Sequence, residues 1–286
     1  MSIRRFILPI LAIILVATYI ISELKKNEYV EEKLLPEDLK IKKVAYYDKD
    51  LNFVVELDNN TKKWMIKKPE EWPANIDEIN GLVDALKDID IVTNLGVLED
   101  NNTYEISDSK YLLLENGKTS KIYIGKRDPS YKMVYVKVNE DKEVKLVDAT
   151  FTNYLPTTLN QIKDKTIYTF DEEKLKNYKI KIDNKTYEIA LKNGSYVIND
   201  KTLNDSLKKT IFPGISTLTA NTFVDRNTLD NATKVGYIHY TVDNNTENFQ
   251  IFKDRDGDYL IPASGESIFK LYNFTIENFL KKFEKS

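Results

Sequence analysis

The sequence contains no cysteine and a single histidine among its 286 residues. The absence of cysteine excludes disulfide bonds, thiolate metal sites and cysteine nucleophiles. One histidine cannot supply the two imidazoles of an HExxH zinc motif or an imidazole-rich metal cluster. These shortages point away from the common hydrolase chemistries. The sequence therefore predicts no enzyme, no catalytic residue, no metal site and no cofactor.

The sequence also lacks an excess of positive charge. Its 42 basic residues are balanced by 45 acidic residues, which gives a net charge of -3. A nucleic-acid-binding protein normally carries a basic patch or stripe, so no nucleic-acid partner is predicted. The 42% hydrophobic and 11% aromatic content fits a globular protein, and the length suits two domains of ordinary size.

One long uncharged segment, FILPILAIILVATYIIS, covers residues 6–22 near the N-terminus. As a helix it would reach roughly 25 Å, close to the lower limit for a bilayer core. It has no A-x-A-like cleavage site, which favours an uncleaved signal anchor. A signal peptide cleaved after Ser22 and a buried soluble helix are the alternatives. We predict a membrane anchor with flanks over residues 1–26, inserted in the lipid bilayer through residues 6–22, and a linker over 27–34.

Two similar segments indicate an internal duplication. KLVDATFTNYL at residues 145–155 and KLYNFTIENFL at 270–280 share five of eleven residues without a gap. Each is preceded by a predicted hairpin, FVVELDNNTKKWMI at 53–66 and YEIALKNGSYVI at 187–198. Asn193-Gly194 is a strong two-residue turn signal in the second hairpin. Trp64 and Tyr196 occupy corresponding places.

A helix with a capping pattern follows each hairpin. Asn75 precedes Glu78 by three residues, and Thr202 precedes Asp205 by three, so Asn75 and Thr202 are the predicted N-caps. Pro213-Gly214 is predicted to end the second helix. Further strand-like runs separated by short polar turns complete both halves.

These elements predict an α+β fold class. An N-terminal transmembrane helix is followed by two tandem, similar β-rich domains, each an antiparallel sheet with covering helices. The predicted domains cover residues 35–166 and 167–286.

Few residues are candidates for a site. Asp254, Asp256 and Asp258 have calcium-loop spacing, but a hairpin turn is favoured because Tyr259 occupies the position that needs glycine. His239 falls on the polar side of a predicted strand. Acidic pairs elsewhere are interpreted as solvated surface.

The two tryptophans receive different interpretations. Trp64 matches a tyrosine in the other half, which favours a core position. Trp72 precedes Pro73 and a helix start, and it is either a packing residue there or a contact for a ligand or partner. Trp72 is the one possible contact residue that the sequence offers.

Several segments together resemble a bacterial family, domain of unknown function 4340. They are LLPEDLKIKKV (34–44), KKWMI (62–66), WPANIDEINGLVDAL (72–86), Ile124-Gly125, Val134–Val136 and DKTIYTF (164–170). The resemblance covers about residues 34–230 and the anchor. Tyr196 departs from the tryptophan usual in the family.

The resemblance implies a function, since members of this family occur beside gliding-motility-type ABC transporter components. It implies a non-enzymatic accessory or scaffold subunit in the cytoplasmic (inner) membrane. The bulk of the chain would lie outside the cytoplasm and contact a transporter permease or a sister envelope subunit. The alternatives are a module that binds cell-envelope glycan or peptidoglycan and a carboxylate-dependent hydrolase.

Overall fold

The computed structural model describes residues 15–20, 32–36, 38–97, 101–115, 117–199, 201–263 and 267–284. The chain forms two compact units, Met1–Ile162 and Lys163–Ser286. The predicted boundary between the two domains lay after residue 166.

A nine-stranded antiparallel sheet forms the first unit. In space the strands follow the order β4-β3-β2-β1-β6-β7-β8-β9-β5. Their bounds are β1 Lys43–Tyr47, β2 Asn52–Leu57, β3 Trp64–Lys68, β4 Trp72–Pro73, β5 Ile91–Val97, β6 Tyr111–Glu115, β7 Thr119–Arg127, β8 Met133–Val138 and β9 Glu143–Asp148.

Helix α1, Ile76–Lys87, supplies the main helical cover of this unit. Its side chains Ile79, Leu82 and Leu86 are at most 1% exposed and share one buried cluster with strand residues such as Phe53. The Asn75 side chain accepts hydrogen bonds from the N–H groups of residues 77 and 78, which confirms the predicted cap. A short helix α2, Leu159–Ile162, and 3₁₀ turns at Asn101–Tyr104 and Thr150–Tyr154 complete the unit.

The second unit contains a nine-stranded antiparallel sheet of the same order, β14-β13-β12-β11-β17-β18-β19-β20-β16, beside the pair β10-β15. The strands are β10 Thr166–Thr169, β11 Leu175–Ile182, β12 Lys185–Lys192, β13 Ser195–Ile198, β14 Lys201–Thr202, β15 Thr217–Thr219, β16 Thr222–Val224, β17 Thr233–Val242, β18 Asn245–Lys253, β19 Asp258–Pro262 and β20 Ile268–Lys270. The helices are α3, Asp205–Ile215, and α4, Thr275–Glu284, with 3₁₀ turns at Glu172–Lys174 and Arg226–Leu229.

Helix α3 differs from the prediction at both ends. Thr202 pairs with Val197 in the small edge strand β14, so it is not available as a cap. Asn204 caps the helix instead, accepting a hydrogen bond from the N–H of Leu207 at 2.9 Å. The helix also continues past Pro213 to Ile215. The predicted N-cap and the predicted stop are therefore both wrong.

The duplicated segments end differently in the two units. After β9 the chain makes a single 3₁₀ turn and leaves it at Leu155, whose φ of -71° and ψ of 123° are extended. Pro156 follows, and a residue before proline avoids the helical conformation. The second unit has Lys281 at the corresponding place, and its helix α4 runs on to Glu284.

The predicted α+β class is wrong. The structure is mostly β, with 46% strand and 23% helix, and it is built on two large antiparallel sheets. The sequence patterns located the helices but not the share of the chain they occupy. The hairpins extend into wide sheets, whereas each sheet has one or two helices of at most 12 residues in the described part of the chain.

The structure also contradicts the predicted transmembrane helix. Of the segment 6–22, only residues 15–20 are among those described, and these six are helical. Six residues rise about 9 Å, against about 30 Å for a bilayer core. Across the described ranges, every helix is too short or too polar to cross a membrane. The prediction of a single-pass protein of the cytoplasmic membrane is corrected accordingly.

Candidate functional site

The outward face of the first sheet is set by the alternation of side chains along its central strands. Leu112 and Leu114 of β6 and Ile122 of β7 are at most 2% exposed and point into the core. Because successive residues of a strand point to opposite faces, Tyr111 and Tyr123 lie on the outer face. Both are partly exposed.

Strand pairing brings three tyrosines into one line across this face. Tyr47 of β1 pairs with Tyr111, and Tyr111 pairs with Tyr123. The ring centroids of Tyr47 and Tyr111 are 4.7 Å apart in a stacked arrangement, and those of Tyr111 and Tyr123 are 6.2 Å apart. We call Tyr47, Tyr111 and Tyr123 the tyrosine row. Lys137 of β8 pairs with Tyr123 and continues the line.

A lysine ammonium lies against two rings of the row. Lys121 Nζ is 4.1 Å from the ring centroid of Tyr111 and 4.3 Å from that of Tyr123. Asp108 holds the same ammonium at 2.8 Å. Partial burial alone would lower the pKa of Lys121, but its hydrogen bonds to Asp108 and Tyr123 outweigh this effect and raise the pKa to about 12. Lys121 is therefore a fixed cation at neutral pH.

Lys137 is a further cation beside the tyrosine row. Its Nζ lies 5.6 Å from the ring centroid of Tyr123. In the part of the chain that the structure describes, no carboxylate forms an ion pair with it. Its ammonium can therefore donate to an acidic group of a bound partner without first breaking an internal salt bridge.

The second sheet provides an internal comparison. Matching the sheets outward from the pairs Leu57–Trp64 and Leu191–Tyr196 aligns every central strand. The line that holds the tyrosine row and Lys137 then corresponds, in strand order, to Lys181, Tyr237, Gln250 and Ile261. The same strand order thus forms with one tyrosine in this line. The fold does not require the other two.

The row has the chemistry of a contact surface. Tyrosine offers a large apolar ring with a polar tip and orders few torsions on binding, and it is enriched at protein interfaces. Lysine over an aromatic ring adds a favourable cation–π contact. A surface of this kind can bind another molecule.

Comparison with known proteins identifies the family. The family model for DUF4340, a domain of unknown function, matches residues 64–234, more than half of the chain. The chain belongs to the DUF4340 family. The predicted resemblance is thereby confirmed, while the association with ABC transporters stays a prediction. No curated protein and no solved structure matches the chain.

The DUF4340 match begins at Trp64, the first residue of β3, and ends within β17. It includes Tyr111 and Tyr123 of the tyrosine row but not Tyr47. Trp64 is 5% exposed, and its indole N–H donates to Asn80 Oδ1 at 3.1 Å. This confirms the predicted core position.

Trp72, the predicted contact residue, lies in the edge strand β4 opposite Ile66. It is partly buried and packs against the core cluster of the first unit. Its ring is thus largely occupied by the protein itself. The structure does not bring Trp72 into the tyrosine row, and its contact role stays a prediction.

The segment DRDGD forms the turn between β18 and β19, which confirms the predicted hairpin. The Asp254 carboxylate accepts hydrogen bonds from the N–H groups of Asp256 and Gly257 at 2.7 and 3.0 Å. It also accepts one from the Tyr259 hydroxyl at 3.1 Å. These internal bonds account for Asp254 as a turn residue.

His239 lies on the polar face of β17, as predicted. Its neighbours Ile238 and Tyr240 are buried on the other face. The imidazole Nδ1 is 2.6 Å from Oδ1 of Asn248, which is directly opposite on β18. The contact is an ordinary cross-strand hydrogen bond.

Sequence reasoning missed the tyrosine row because its members are far apart in the chain. Tyr47 and Tyr111 are joined only through the pairing of β1 with β6. The alternation in YLLLE and KIYIG does indicate that Tyr111 and Tyr123 face away from the core. That signal, read for both strands together, would have found two of the three.

Proposed function

We propose that the protein is a non-enzymatic accessory subunit that binds a partner protein on the tyrosine row of its first unit. The expected partner is a component of an ABC-type transporter complex. The first unit provides the contact surface, and the second unit has the same strand order without that surface.

The observation that carries the proposal is the difference between the two sheets. The line of the first sheet holds three tyrosines, and the corresponding line of the second sheet holds one. Stability alone gives no reason to choose tyrosine at residues 47 and 123, because the sister sheet forms with Lys181 and Gln250 at these places. Exposed aromatic residues that the fold does not need are typical of binding surfaces.

The class of partner rests on the family resemblance, not on the site. A subunit that only binds needs a rigid surface with anchoring aromatic rings and charges that fix orientation. The tyrosine row with Lys121 and Lys137 has these parts. The geometry therefore supports binding, and the resemblance supplies the transporter.

Affinity capture tests the proposal. The full-length chain, tagged at its C-terminus, is crosslinked in its native cells and purified, and the captured proteins are identified by mass spectrometry. We expect an ABC transporter permease or ATPase with the wild-type chain. The double variant Tyr111→Ala/Tyr123→Gln should reduce its recovery by about tenfold, the loss expected when two anchors worth 0.5–1 kcal/mol or more are removed.

Tyr237→Ala is the matched control, because Tyr237 occupies in the second sheet the place of Tyr111 in the first. It should leave recovery unchanged. Equal capture by wild type and the double variant would refute the role of the row. Recovery of the chain without any transporter component would refute the proposed partner.

Glycan binding is the second candidate, favoured by the partly exposed phenol rings of the row. Sugars stack on such rings. Sedimentation of the purified chain with cell-wall material would decide this. Retention that is lost in the double variant, but kept in Trp72→Ala, would assign the row to a glycan.

A further inference from the structure

A second feature of the first unit lies apart from the tyrosine row. A cavity of about 310 Å³ opens between the β1–β2 turn, strand β7 and residues 152–157. Ile124 and Val134, at most 2% exposed, form its floor, and Leu51 and Leu155 form apolar walls. We call it the Arg127 cavity. Its volume is at the lower end of the range for small-molecule sites, about 300–1,000 Å³.

Two local features create this cavity. Pro156 ends the 3₁₀ turn after β9, so the chain beside the cavity is irregular and no helix fills the space. A β-bulge between Ile124 and Arg127 shifts the register against β8. Bulges redirect side chains and occur often beside binding sites, and this one places Arg127 on the rim.

One ion pair on the rim is satisfied internally. Lys110 Nζ lies 3.1 Å from the Asp48 carboxylate, to which the Tyr46 hydroxyl also donates at 2.7 Å. Burial alone would raise the pKa of Asp48, but these hydrogen bonds hold it below its usual value. Asp48 is therefore charged at neutral pH, and its charge is offset by the ammonium group of Lys110.

Arg127 is a cation without an anion. Its guanidinium donates to Thr152 Oγ1, to Asn153 Oδ1 at 3.3 Å and to the carbonyl of Tyr131 at 3.4 Å. All three acceptors are neutral, and within the described ranges no carboxylate pairs with Arg127. A guanidinium that neutral groups hold in place is positioned to bind a carboxylate.

Asp50, on the same rim, is an anion without a cation. It lines the cavity, and no cation among the described residues forms an ion pair with it. With Asp48 and Lys110 cancelled, the cavity presents one unpaired positive group and one unpaired negative group above an apolar floor. A ligand of complementary charge carries a carboxylate, an ammonium group and an apolar body.

We infer that the Arg127 cavity binds a small zwitterion with an apolar side chain, of the class of the apolar α-amino acids. Arg127 holds the carboxylate, Asp50 holds the ammonium group, and the side chain covers Ile124 and Val134. The site uses none of the residues of the tyrosine row. This inference does not depend on the proposed function.

The second unit has an internal ion pair at the place that corresponds to the Arg127 cavity. By strand pairing, Lys253 and Asp258 occupy the places of Arg127 and Val134. There the cation meets a carboxylate at 3.8 Å within the protein itself. The second unit thus replaces the apolar floor residue with an internal counter-ion. Lys253→Gln is accordingly the matched control for Arg127→Gln.

Isothermal titration calorimetry of the full-length chain with three probes tests the inference. The probes are L-phenylalanine, N-acetyl-L-phenylalanine, which lacks the ammonium group, and L-phenylalanine amide, which lacks the carboxylate. We expect L-phenylalanine to bind most tightly. Removing either charge should weaken binding by at least about tenfold, as expected when one charge-assisted hydrogen bond is lost.

Each variant should weaken only the probes that carry the charge bound by the substituted residue. Arg127→Gln should weaken L-phenylalanine and the N-acetyl compound by about tenfold and leave the amide unchanged. Asp50→Asn should weaken L-phenylalanine and the amide but not the N-acetyl compound. Lys253→Gln should change nothing, and circular dichroism of each variant verifies the fold.

Three outcomes would overturn the inference. They are no heat of binding with any probe, equal binding of all three probes, and binding that survives Arg127→Gln in a folded protein. Loss of transporter capture in the tyrosine variants with unchanged titrations would leave the cavity assignment intact. The two proposals can therefore fail separately.

Discussion

Gly125 of strand β7 has no room for a side chain. A Cβ atom there would lie 2.3 Å from the carbonyl oxygen of Tyr104 and 2.8 Å from Cγ1 of Ile106. The 3₁₀ turn that ends at Tyr104 therefore packs directly on the strand. The Ile124-Gly125 pair of the DUF4340 resemblance has this steric cause.

Substituting Gly125 tests this steric explanation. Gly125→Ala should lower the free energy of unfolding by about 2 kcal/mol, because backbone must move to relieve the overlap. Urea unfolding followed by circular dichroism measures it. Gly81→Ala in helix α1 is the control, since its Cβ would meet only the flexible ring of Tyr154 at 3.3 Å. It should be neutral or stabilise by up to about 1 kcal/mol. Equal effects of both variants would contradict the steric explanation.

Asp258 gives the second unit a pH dependence. Burial disfavours its carboxylate form and raises its pKa, and the charge of Asp254 acts in the same direction against the opposing effect of Lys253. A carboxyl group whose pKa is raised by folding contributes stability below its unfolded pKa. That contribution is lost as the pH rises through the folded pKa.

Asp258→Asn should therefore raise the thermal midpoint at pH 7. The gain should disappear below about pH 3, where the acid is protonated in both states. Calorimetry at both pH values measures it, with Asp256→Asn in the exposed adjoining turn as control. A lower midpoint for Asp258→Asn at pH 7 would show that the pair with Lys253 outweighs the burial.

Single residues were predictable where the signal was local. Asn75 and the Asn193-Gly194 turn depend only on neighbouring residues, and both formed as predicted; φ is +50° at Asn193 and +77° at Gly194. Thr202 failed as a cap because strand pairing used it, and strand pairing is not a local property. The residues of the tyrosine row and of the Arg127 cavity share this dependence, so the sequence did not bring them together.

At the scale of elements, helix α4 is the part that the two units do not share. Its Phe283 is 3% exposed, with its ring centroid 5.2 Å from that of Tyr187 and 6.4 Å from that of Tyr178. Glu284 accepts from Lys185 Nζ at 2.6 Å. The helix thus closes the core against the β11–β12 hairpin.

Removing this ring should be costly. Phe283→Ala is expected to lower the free energy of unfolding by about 3–4 kcal/mol, because a large buried side chain is lost and a cavity remains. Hydrogen exchange of the β11 and β12 amides should accelerate accordingly. The control is Lys281→Ala, which removes the exposed pair with Glu277 and should cost about 0.5 kcal/mol. A loss below 1 kcal/mol for Phe283→Ala would show that the helix is only loosely docked.

The order and type of the elements followed from the sequence better than their proportions. Hairpins and amphipathic helices were recognisable from period and turn residues. The joining of β1 with β6 and of β5 with β9 leaves no local pattern, since each depends on long-range pairing. This is why the width of the sheets was underestimated.

At the scale of the molecule, the two units share one strand order, so residues of the first sheet can be replaced by those at the corresponding places of the second. Tyr47→Lys/Tyr123→Gln gives the first sheet the residues that the second sheet carries at Lys181 and Gln250. Since the sister sheet folds with them, the free energy of unfolding should fall by no more than about 2 kcal/mol, from lost aromatic and cation–π contacts. Partner capture should nevertheless be lost. Urea unfolding of the purified variant measures the first effect, and the capture experiment in native cells measures the second. Collapse of the fold would show that the tyrosines serve stability.

Two sheets with one strand order in a single chain carry a risk of exchanging strands during folding. Ala45, 1% exposed, lies between Val54 and Leu113, and Lys179 occupies the same place in β11. If β11 took the place of β1 in the first sheet, the ammonium group of Lys179 would lie between Val54 and Leu113. Lys121, which pairs with Leu113, would be a second positive charge nearby. Divergence at this one position thus penalises the scrambled product and helps each strand find its own sheet.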